Sequence, residues 1–288
     1  MKNKIFIIGS SGYIGKELMQ SKIKNFEIVG TSSTNQNYKK LDLLNLQKFN
    51  FSIFGKNDVI CITSALSSPE QCEDLSKKGL PWRINVEGTT HLINKAISNG
   101  AKVIFFSSDV VYGNTEIKVN ETSLINPYGN YAIMKNIIEK KFIQFENFKS
   151  IRLSYVFSRH DKFTKYLISC DRKNETAKIF NFLNRSVIHL QDVTTGILNL
   201  IIKWDHFRKY KYINFGGNST LSRYDLAKKI AAIALKNLSI QEIDPPKNFF
   251  KLRPKIIKME SPILPEILEK SPTDIEKAIY LEFQNFTN

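Results

Sequence analysis

Tyr131 and Lys135 are the side chains whose types and spacing favour proton-transfer chemistry. The apolar pattern of residues 130–145 predicts a helix, and a separation of four residues places both side chains on one helix face. A tyrosine, with a reference pKa near ~10, is a weak acid–base catalyst at neutral pH, and a neighbouring ammonium is expected to lower that pKa. Ser108 follows a predicted strand and can hydrogen-bond the same substrate oxygen. The three residues predict a site that interconverts a carbonyl and an alcohol.

A glycine-rich turn near the N-terminus gives this pair a context, because Tyr-x-x-x-Lys alone is more often a core tyrosine beside a solvated lysine. The first predicted strand covers residues 5–8, and Gly9, Gly12 and Gly15 follow it. Gly9 suits a tight turn, Gly12 lets a pyrophosphate approach the backbone, and Gly15 lets the next helix pack closely. The helix N-terminus offers free N–H groups to the phosphates. The stretch predicts a dinucleotide-binding turn, although G-x-x-G-x-x-G differs from the usual G-x-G-x-x-G and a flexible turn is the alternative.

The elements that must position these residues alternate between short apolar runs and amphipathic segments. The predicted strands cover residues 5–8, 26–30, 58–62, 101–106 and 150–153, and the predicted helices cover residues 82–98 and 130–145. This β-α-β alternation predicts an α/β fold, a doubly wound parallel Rossmann sheet with helices on both faces. Beyond residue 157 the pattern loosens and the tail carries many prolines, which predicts a smaller, irregular C-terminal substrate lobe.

The predicted domain organisation follows from this change in pattern. The dinucleotide-binding Rossmann domain covers residues 1–157 and is rejoined by residues 186–216, whereas the substrate-binding lobe covers residues 158–185 and 217–288. Asp192 lies where a helical pattern begins and is predicted to cap that helix. The later predicted strands are 178–182, 187–190 and 212–215, and the later predicted helices are 192–203 and 222–236.

Composition excludes several classes of function. The chain has 288 residues, 42% of them hydrophobic, which is enough for a sizeable core. No apolar run approaches a membrane span and the first strand leaves no room for a signal peptide, so we expect a cytoplasmic protein without a membrane partner. Cys61, Cys72 and Cys170 show no metal-ligand spacing, and no metal site is predicted. The net charge of +15 comes from scattered basic residues, which predicts a solvated surface rather than a nucleic-acid partner.

In their order along the chain, these motifs resemble the extended short-chain dehydrogenase/reductase family, and the resemblance covers most of the sequence. It implies that Tyr131 is the catalytic acid, that Lys135 also holds the nicotinamide ribose, and that Ser108 polarises the carbonyl. Residues 82–89 resemble the N-V-x-G-T helix of the family, and Asp42 resembles the acidic residue that meets the adenine. The cofactor-binding residues are expected to be Gly9, Ser11, Gly12, Tyr13, Ile14, Gly15, Thr31, Ser32, Ser33, Asp42, Leu43, Thr63, Ser64, Ala65, Tyr131, Lys135 and Tyr155.

The resemblance also implies a binding site for a nucleotide-linked sugar. Arg185 resembles an arginine that contacts a sugar-nucleotide diphosphate, and Arg253 resembles a second such arginine. Ser108 and Asp109 are expected to face the sugar, and His160 is a candidate acid–base residue beside it. Residues 157–160 depart from the family, because the usual Asn and Gly-Pro near the nicotinamide are missing.

The residues after Ser108 narrow the range of reactions that the resemblance implies. Val110 follows Asp109, where sugar-nucleotide 4,6-dehydratases carry a glutamate, and Asp109 itself replaces the cysteine of GDP-fucose synthase-like enzymes. Residues 107–113 are most similar to the dTDP-4-dehydrorhamnose reductase-like branch. We therefore expect a homodimeric reductase of a nucleotide-linked 4-keto-6-deoxy sugar, serving deoxysugar and cell-surface polysaccharide biosynthesis. The alternatives are an NAD-dependent nucleotide-sugar 4-epimerase and a non-catalytic cofactor-binding regulatory subunit.

The end of the second predicted strand indicates the choice of cofactor. NAD-binding members place a carboxylate there for the ribose 2′-hydroxyl, about 20 residues beyond the glycines. Residues 29–34 contain no acid, their hydroxyls can donate to phosphate oxygens, and Lys39 and Lys40 add positive charge nearby. The sequence predicts that NADP(H) is preferred, with NAD(H) as the alternative.

Overall fold

The computed structural model describes residues 2–73, 76 and 78–286. The strands, in chain order, are β1 (Asn3–Ile8), β2 (Phe26–Ser32), β3 (Lys39–Lys40), β4 (Val59–Ile62), β5 (Lys102–Ser108), β6 (Thr115–Val119), β7 (Phe148–Leu153), β8 (Tyr155–Phe157), β9 (Ala177–Ile179), β10 (Asn184–His189), β11 (Tyr212–Phe215), β12 (Ser219–Leu221), β13 (Ile240–Glu242) and β14 (Ile256–Met259). The helices are α1 (Tyr13–Gln20), α2 (Leu80–Trp82), α3 (Thr89–Ser98), α4 (Asn130–Phe142), α5 (Lys162–Lys173), α6 (Leu190–Ile202), α7 (Arg223–Ile233), α8 (Leu264–Leu268) and α9 (Ile275–Phe283). A π-helical segment, Arg83–Gly88, joins α2 to α3.

Seven parallel strands form the main sheet, in the order β11-β7-β5-β4-β1-β2-β3. Side chains alternate across β1, so that Ile5 and Ile7 pack with α1, α6 and α8 while Phe6 and Ile8 pack with α3 and α4. Each of these four side chains is only 1% exposed, as expected for a strand covered by helices on both faces. The predicted fold class, a doubly wound parallel α/β sheet, is confirmed.

A second sheet lies beyond the carboxyl ends of the main strands. It has the order β12-β10-β14-β6, with β8 also pairing with β10, and only the β10–β12 pair is antiparallel among these pairings. A third, two-stranded sheet joins β9 to β13. Helices α5, α7 and α9 share a separate hydrophobic cluster with residues of β9 and β10. These elements make up the smaller part of the fold, which is less regular than the main sheet.

The chain returns to the main sheet after residue 189. β10 pairs within the second sheet, whereas α6 packs on the main core and β11 completes its edge beside β7. β6 lies within residues 1–157 and yet pairs in the second sheet. The division into two domains stays a prediction, but the strands show where the chain crosses between the sheets.

The prediction that Asp192 caps a helix is wrong. His189 is the N-cap residue of α6, and Asp192 lies buried within its first turn. The Asp192 carboxylate accepts hydrogen bonds from the Lys270 Nζ at 2.8 Å and the Thr273 backbone nitrogen at 2.6 Å. It therefore fastens the segment between α8 and α9 to the main core, a partner that is remote in sequence.

Candidate active site

The glycine turn connects β1 to α1 and leaves the N-terminus of α1 open. Gly9 has a φ of +97°, which favours glycine, and a Cβ there would lie 2.9 Å from the Ser64 backbone nitrogen. A Cβ on Gly15 would lie 2.2 Å from the Gly9 carbonyl oxygen, so the close packing of α1 requires glycine. α1 begins at Tyr13, and its N-cap residue Gly12 makes no side-chain hydrogen bond. The first N–H groups of the helix are therefore available to an anion.

Two cavities flank the glycine turn, and their lining fits a dinucleotide. The first, of about 310 Å³, is lined by the predicted cofactor residues Gly12, Tyr13, Ile14, Gly15, Thr63, Ala65, Tyr131 and Lys135. The second, of about 100 Å³, is lined by Gly9, Ser11, Ser32, Ser33, Asp42, Leu43 and Ser64. Thr31 differs from the others, because its hydroxyl is buried and donates to the Ile7 carbonyl oxygen. It supports the turn rather than lining either cavity.

β5 and α4 bring the three predicted catalytic residues together. Ser108 is the last residue of β5, and α4 carries Tyr131 and Lys135 one turn apart. The Lys135 Nζ donates to the Phe106 carbonyl oxygen at 2.6 Å and lies 5.5 Å from the centre of the Tyr131 ring. Ser108, Tyr131 and Tyr155 all line a cavity of about 850 Å³, which we call the reaction cavity. A carbonyl group bound in the reaction cavity would lie near the Ser108 hydroxyl of β5 and the Tyr131 hydroxyl of α4.

Burial dominates the protonation of both α4 residues. It lowers the pKa of Lys135 to about 7, although the charge of Glu139 opposes this change. Burial also raises the pKa of Tyr131, and the nearby Cys72 and Asp109 add to the increase. The net pKa of Tyr131 is therefore raised and not lowered as expected, because desolvation of the phenolate is a larger effect than the attraction of Lys135. The protonated tyrosine is the form that donates a proton.

We expect kcat/KM for the reduced cofactor to fall as the pH rises through about 7, because Lys135 loses its charge there. The effect on stability has the opposite sign. The ordinary lysine pKa is 10.5, so between about 7 and 10.5 the unfolded chain binds more protons than the folded chain and this group makes stability rise with pH. A pH series of kcat/KM and of urea unfolding measures both.

Lys149→Met provides the control for this pH series. Lys149 is a second buried lysine whose pKa burial lowers to about 7, but it donates to the carbonyl oxygens of Phe207 and Tyr210, away from the reaction cavity. The variant should keep the fall in kcat/KM and lose part of the pH dependence of stability. A kcat/KM profile that stays level from pH 6 to 9 would contradict the role of the Lys135 charge.

A buried ion pair below Lys135 attaches α4 to the main sheet. Arg152 on β7 donates from Nε to Glu139 Oε1 at 3.1 Å and from Nη2 to Oε2 at 2.8 Å. Its Nη1 donates to the Tyr112 hydroxyl at 2.9 Å, and that hydroxyl donates to Asn214. Arg152 is 2% exposed and Glu139 is fully buried. Because Glu139 lies one helical turn from Lys135, the ion pair fixes the height and rotation of α4.

Asp109 and Arg185, two predicted substrate residues, contact each other. Asp109 is buried, accepts from the Ser154 hydroxyl at 2.8 Å and lies 3.5 Å from the Arg185 Nε. Burial raises the pKa of Asp109 while Arg185 opposes the increase. Nη1 and Nη2 of Arg185 donate to the carbonyl oxygens of Asn184 and Pro254, each at 2.8 Å. Arg185 lines a cavity of about 410 Å³, which we call the basic cavity, but the chain itself holds its guanidinium.

The two remaining predicted substrate residues, Arg253 and His160, line different cavities. Arg253 lines the basic cavity, where it pairs with Glu70 and its guanidinium carbon lies 4.3 Å from the centre of the Phe249 ring. His160 is exposed and lines the reaction cavity, and its backbone nitrogen donates to Ser158. The structure thus brings Arg253 to Arg185 and leaves His160 with the predicted catalytic residues.

Sequence reasoning missed two residues of the site. Arg223 at the start of α7 lines both the reaction cavity and the basic cavity. Asn85, in the π-helical segment, donates to the Leu66 carbonyl oxygen at 2.8 Å and accepts from the Leu66 nitrogen at 2.9 Å, next to Ser67 on the cavity wall. The N-V-x-G-T pattern was a signal for Asn85, whereas nothing in the local sequence marks Arg223.

The described part of the chain contains neither a membrane-spanning helix nor a cluster of metal ligands. No helix within residues 2–73, 76 and 78–286 has the length and apolar character needed to cross a membrane. Within the same residues, no three His, Cys, Asp or Glu side chains are grouped so as to hold a metal ion.

The fold and the site together define an extended short-chain dehydrogenase/reductase, in the class of NAD(P)-dependent sugar-nucleotide reductases and epimerases. Within that class, residues 3–255 match the family described as the RmlD substrate binding domain, and the chain belongs to this family. The family resemblance and the class of enzyme predicted from the sequence are confirmed.

Three curated relatives show the range of functions around this chain. A dTDP-4-dehydrorhamnose reductase of Aggregatibacter actinomycetemcomitans is 25% identical over 247 residues, covering 82% of this chain and 81% of that protein. An N-acetyl-alpha-D-glucosaminyl-diphospho-ditrans,octacis-undecaprenol 4-epimerase of Escherichia coli O157:H7 is 26% identical over 141 residues, covering 47% of this chain and only 41% of that protein. A methionine adenosyltransferase 2 subunit beta of Bos taurus is 23% identical over 244 residues, covering 79% and 71%.

Solved structures share the fold over nearly the whole chain. The dTDP-4-dehydrorhamnose reductase of Bacillus anthracis str. Ames in complex with NADP has a TM-score of 0.79 at 20% identity and covers 99% of both chains. A UDP-glucuronic acid 4-epimerase of Bacillus cereus in complex with UDP-glucuronic acid and NAD has a TM-score of 0.72 at 19% identity and covers 98% of both chains. At these identities the likeness establishes the fold.

Proposed function

We propose that this protein is an NADPH-dependent reductase that converts a nucleotide-linked 4-keto-6-deoxy sugar into the corresponding alcohol. The observation that supports this most is the position of Tyr131 between two cavities. It lines the reaction cavity with Ser108, and it lines the cavity beside the glycine turn with Lys135. At about 850 Å³, the reaction cavity falls in the upper part of the size range of small-molecule sites.

The residues of the chain divide the chemistry between them. A bound nicotinamide supplies the hydride for the keto carbon. Tyr131, kept protonated by burial, donates its proton to the carbonyl oxygen, and Ser108 donates a hydrogen bond to the same oxygen. The ammonium of Lys135, one turn away, offsets the negative charge left on the phenolate.

Similarity to known proteins favours the reductase over the 4-epimerase. The match to the dTDP-4-dehydrorhamnose reductase extends over 82% of this chain, whereas the match to the 4-epimerase of Escherichia coli O157:H7 extends over 47%. The regulatory-subunit alternative draws on the relative from Bos taurus, but Ser108, Tyr131 and Lys135 are all in place here.

The test is to incubate the purified protein with NADPH and a panel of nucleotide-linked keto sugars, including dTDP-4-dehydrorhamnose. We expect NADPH to be consumed in proportion to the alcohol formed. Interconversion of two sugar epimers without net NADPH consumption would instead assign the epimerase activity. NADPH binding without turnover of any sugar would favour the regulatory subunit.

We expect NADPH to bind more tightly than NADH, and Ser32→Asp to reverse that order. Ser32 lines the small cavity, and its hydroxyl accepts from the Asn35 nitrogen at 3.0 Å and lies 3.4 Å from the Ser11 hydroxyl. A carboxylate there can accept the same backbone hydrogen bond while repelling a 2′-phosphate. Titration of both cofactors against both proteins measures the change.

Ser32→Asn is the matched control, because the asparagine side chain has nearly the size of aspartate but carries no charge. It should leave the preference for NADPH in place. Tighter binding of NADH by the unmodified protein would refute the predicted preference.

The cytoplasmic location, the homodimer and the role in cell-surface polysaccharide synthesis stay predictions.

A further inference from the structure

Arg223 is a cation held at the junction of the two substrate-side cavities. Its guanidinium carbon lies 3.5 Å from the centre of the Tyr155 ring and 4.8 Å from the centre of the Phe163 ring. These two aromatic rings fix the orientation of the guanidinium plane. Its Nη1 is buried and has no hydrogen-bond partner among residues 2–73, 76 and 78–286. No carboxylate of the described residues forms an ion pair with Arg223, so its charge is available to an anion in the two cavities that it lines.

The other two arginines of the basic cavity are already engaged. Arg185 donates to the backbone carbonyl oxygens of Asn184 and Pro254 and faces the Asp109 carboxylate. Arg253 pairs with Glu70, a carboxylate that is 59% exposed. Among the arginines that line this cavity, Arg223 is therefore the one that no carboxylate or carbonyl oxygen of the described residues engages.

Like charges around the cavity point to an anionic occupant. Arg185, Arg223 and Arg253 all line the basic cavity, and Asp109 is the carboxylate that lines it with them. Burial lowers the pKa of Arg185, Asp109 opposes the change, and the charge of Arg223 adds to the lowering, so the two guanidiniums act on each other. An anion between them would relieve this repulsion.

We propose that Arg223, and not Arg185, supplies the charge-assisted hydrogen bond to the diphosphate of the substrate. This inference rests on the proposed function, because it takes a nucleotide-linked sugar as the ligand. A diphosphate fits better than a single sugar carboxylate, since it has several acceptor oxygens and can meet both Arg223 and Arg253 across one cavity. Arg185 then has a structural role, joining β10 to the segment before β14.

The experiment is to measure the dissociation constants of dTDP, UDP, UDP-glucuronic acid, thymidine, uridine and NADPH for the unmodified protein and Arg223→Gln. We expect the affinity for the diphosphate that binds best to fall by about 10- to 100-fold, the size of one charge-assisted hydrogen bond. The affinities for the matching nucleoside and for NADPH should change by less than about threefold, because neither ligand loses a hydrogen bond to Arg223. Arg223→Lys, which keeps the charge, should lose less than Arg223→Gln.

Lys228→Gln is the control, because it removes an exposed positive charge from the same helix, outside the cavities. It should leave every affinity unchanged. Equal losses for diphosphate and nucleoside in Arg223→Gln would overturn the proposal, as would no loss at all. A loss confined to UDP-glucuronic acid, with UDP unaffected, would also overturn it by assigning the arginine to a sugar carboxylate.

Failure of the proposed function and failure of the Arg223 assignment would give different binding results. If the unmodified protein binds NADPH but none of the nucleoside diphosphates, the proposed function fails and this inference fails with it. If it binds a diphosphate and Arg185→Gln, rather than Arg223→Gln, selectively weakens that binding, only the assignment of Arg223 is overturned. In the expected result, Arg185→Gln lowers the melting temperature and leaves the ratio of diphosphate to nucleoside affinity unchanged.

Discussion

Tyr131→Phe is expected to reduce turnover by roughly two to four orders of magnitude, the usual scale of general acid catalysis. The substitution removes the hydroxyl that donates the proton and keeps the ring, which lies 5.5 Å from the Lys135 Nζ. Cofactor affinity should barely change, since the glycine turn and Lys135 are left intact. Steady-state rates with NADPH and a keto sugar, together with a cofactor titration, measure the two effects separately.

Tyr280→Phe is the matched control for this substitution. Tyr280 lies on α9 and is 62% exposed, so loss of its hydroxyl should leave turnover unchanged. Near-normal turnover in Tyr131→Phe would contradict the role of Tyr131 as proton donor. An equal loss in both variants would indicate a general effect on the protein rather than a catalytic one.

Glu139→Ala is expected to lower the free energy of unfolding by roughly 3–5 kcal/mol, because it leaves the Arg152 guanidinium buried without its carboxylate. The same substitution should reduce turnover, since Glu139 lies one turn from Lys135 on the helix that carries the catalytic residues. Urea unfolding gives the change in stability, and rates measured well below the unfolding transition give the change in activity.

Glu276→Ala provides the comparison at the surface. Glu276 pairs with Lys229, but its side chain is 62% exposed, and such pairs contribute about 0–1 kcal/mol. A loss of less than about 1 kcal/mol for Glu139→Ala, no greater than for Glu276→Ala, would show that the buried ion pair does not stabilise the fold. That result would remove the argument that it positions α4.

The fold could be predicted from local patterns because the apolar residues of β1 and its neighbouring strands indicate that these strands are buried. Ile5 and Ile7 face one helix layer while Phe6 and Ile8 face the other, so a run of four apolar residues fits a strand that is buried on both faces. The positions of the proposed catalytic residues were predictable for a similar reason. Ser108 ends a strand and Tyr131 begins a helix, and parallel sheets bring such positions to the same edge.

What could not be predicted depends on contacts between distant segments. The pKa of Tyr131 rises because of burial, which the four-residue spacing to Lys135 does not reveal. Arg185 was expected to reach the substrate, but residues around 254 fold against it and engage its donors. Arg223 carries no local motif, and its importance comes from Tyr155, 68 positions earlier, and from a cavity formed by several elements.

The central claim is that this chain transfers hydride to a nucleotide-linked keto sugar with Tyr131 as proton donor. Its most direct test uses NADPH deuterated at the transferable position of nicotinamide C4, with the mass of the sugar product as the readout. We expect one deuterium on the former keto carbon with the unmodified protein and a greatly reduced rate of labelling with Tyr131→Phe. A product that carries no deuterium, or labelling that proceeds as fast in Tyr131→Phe, would contradict it.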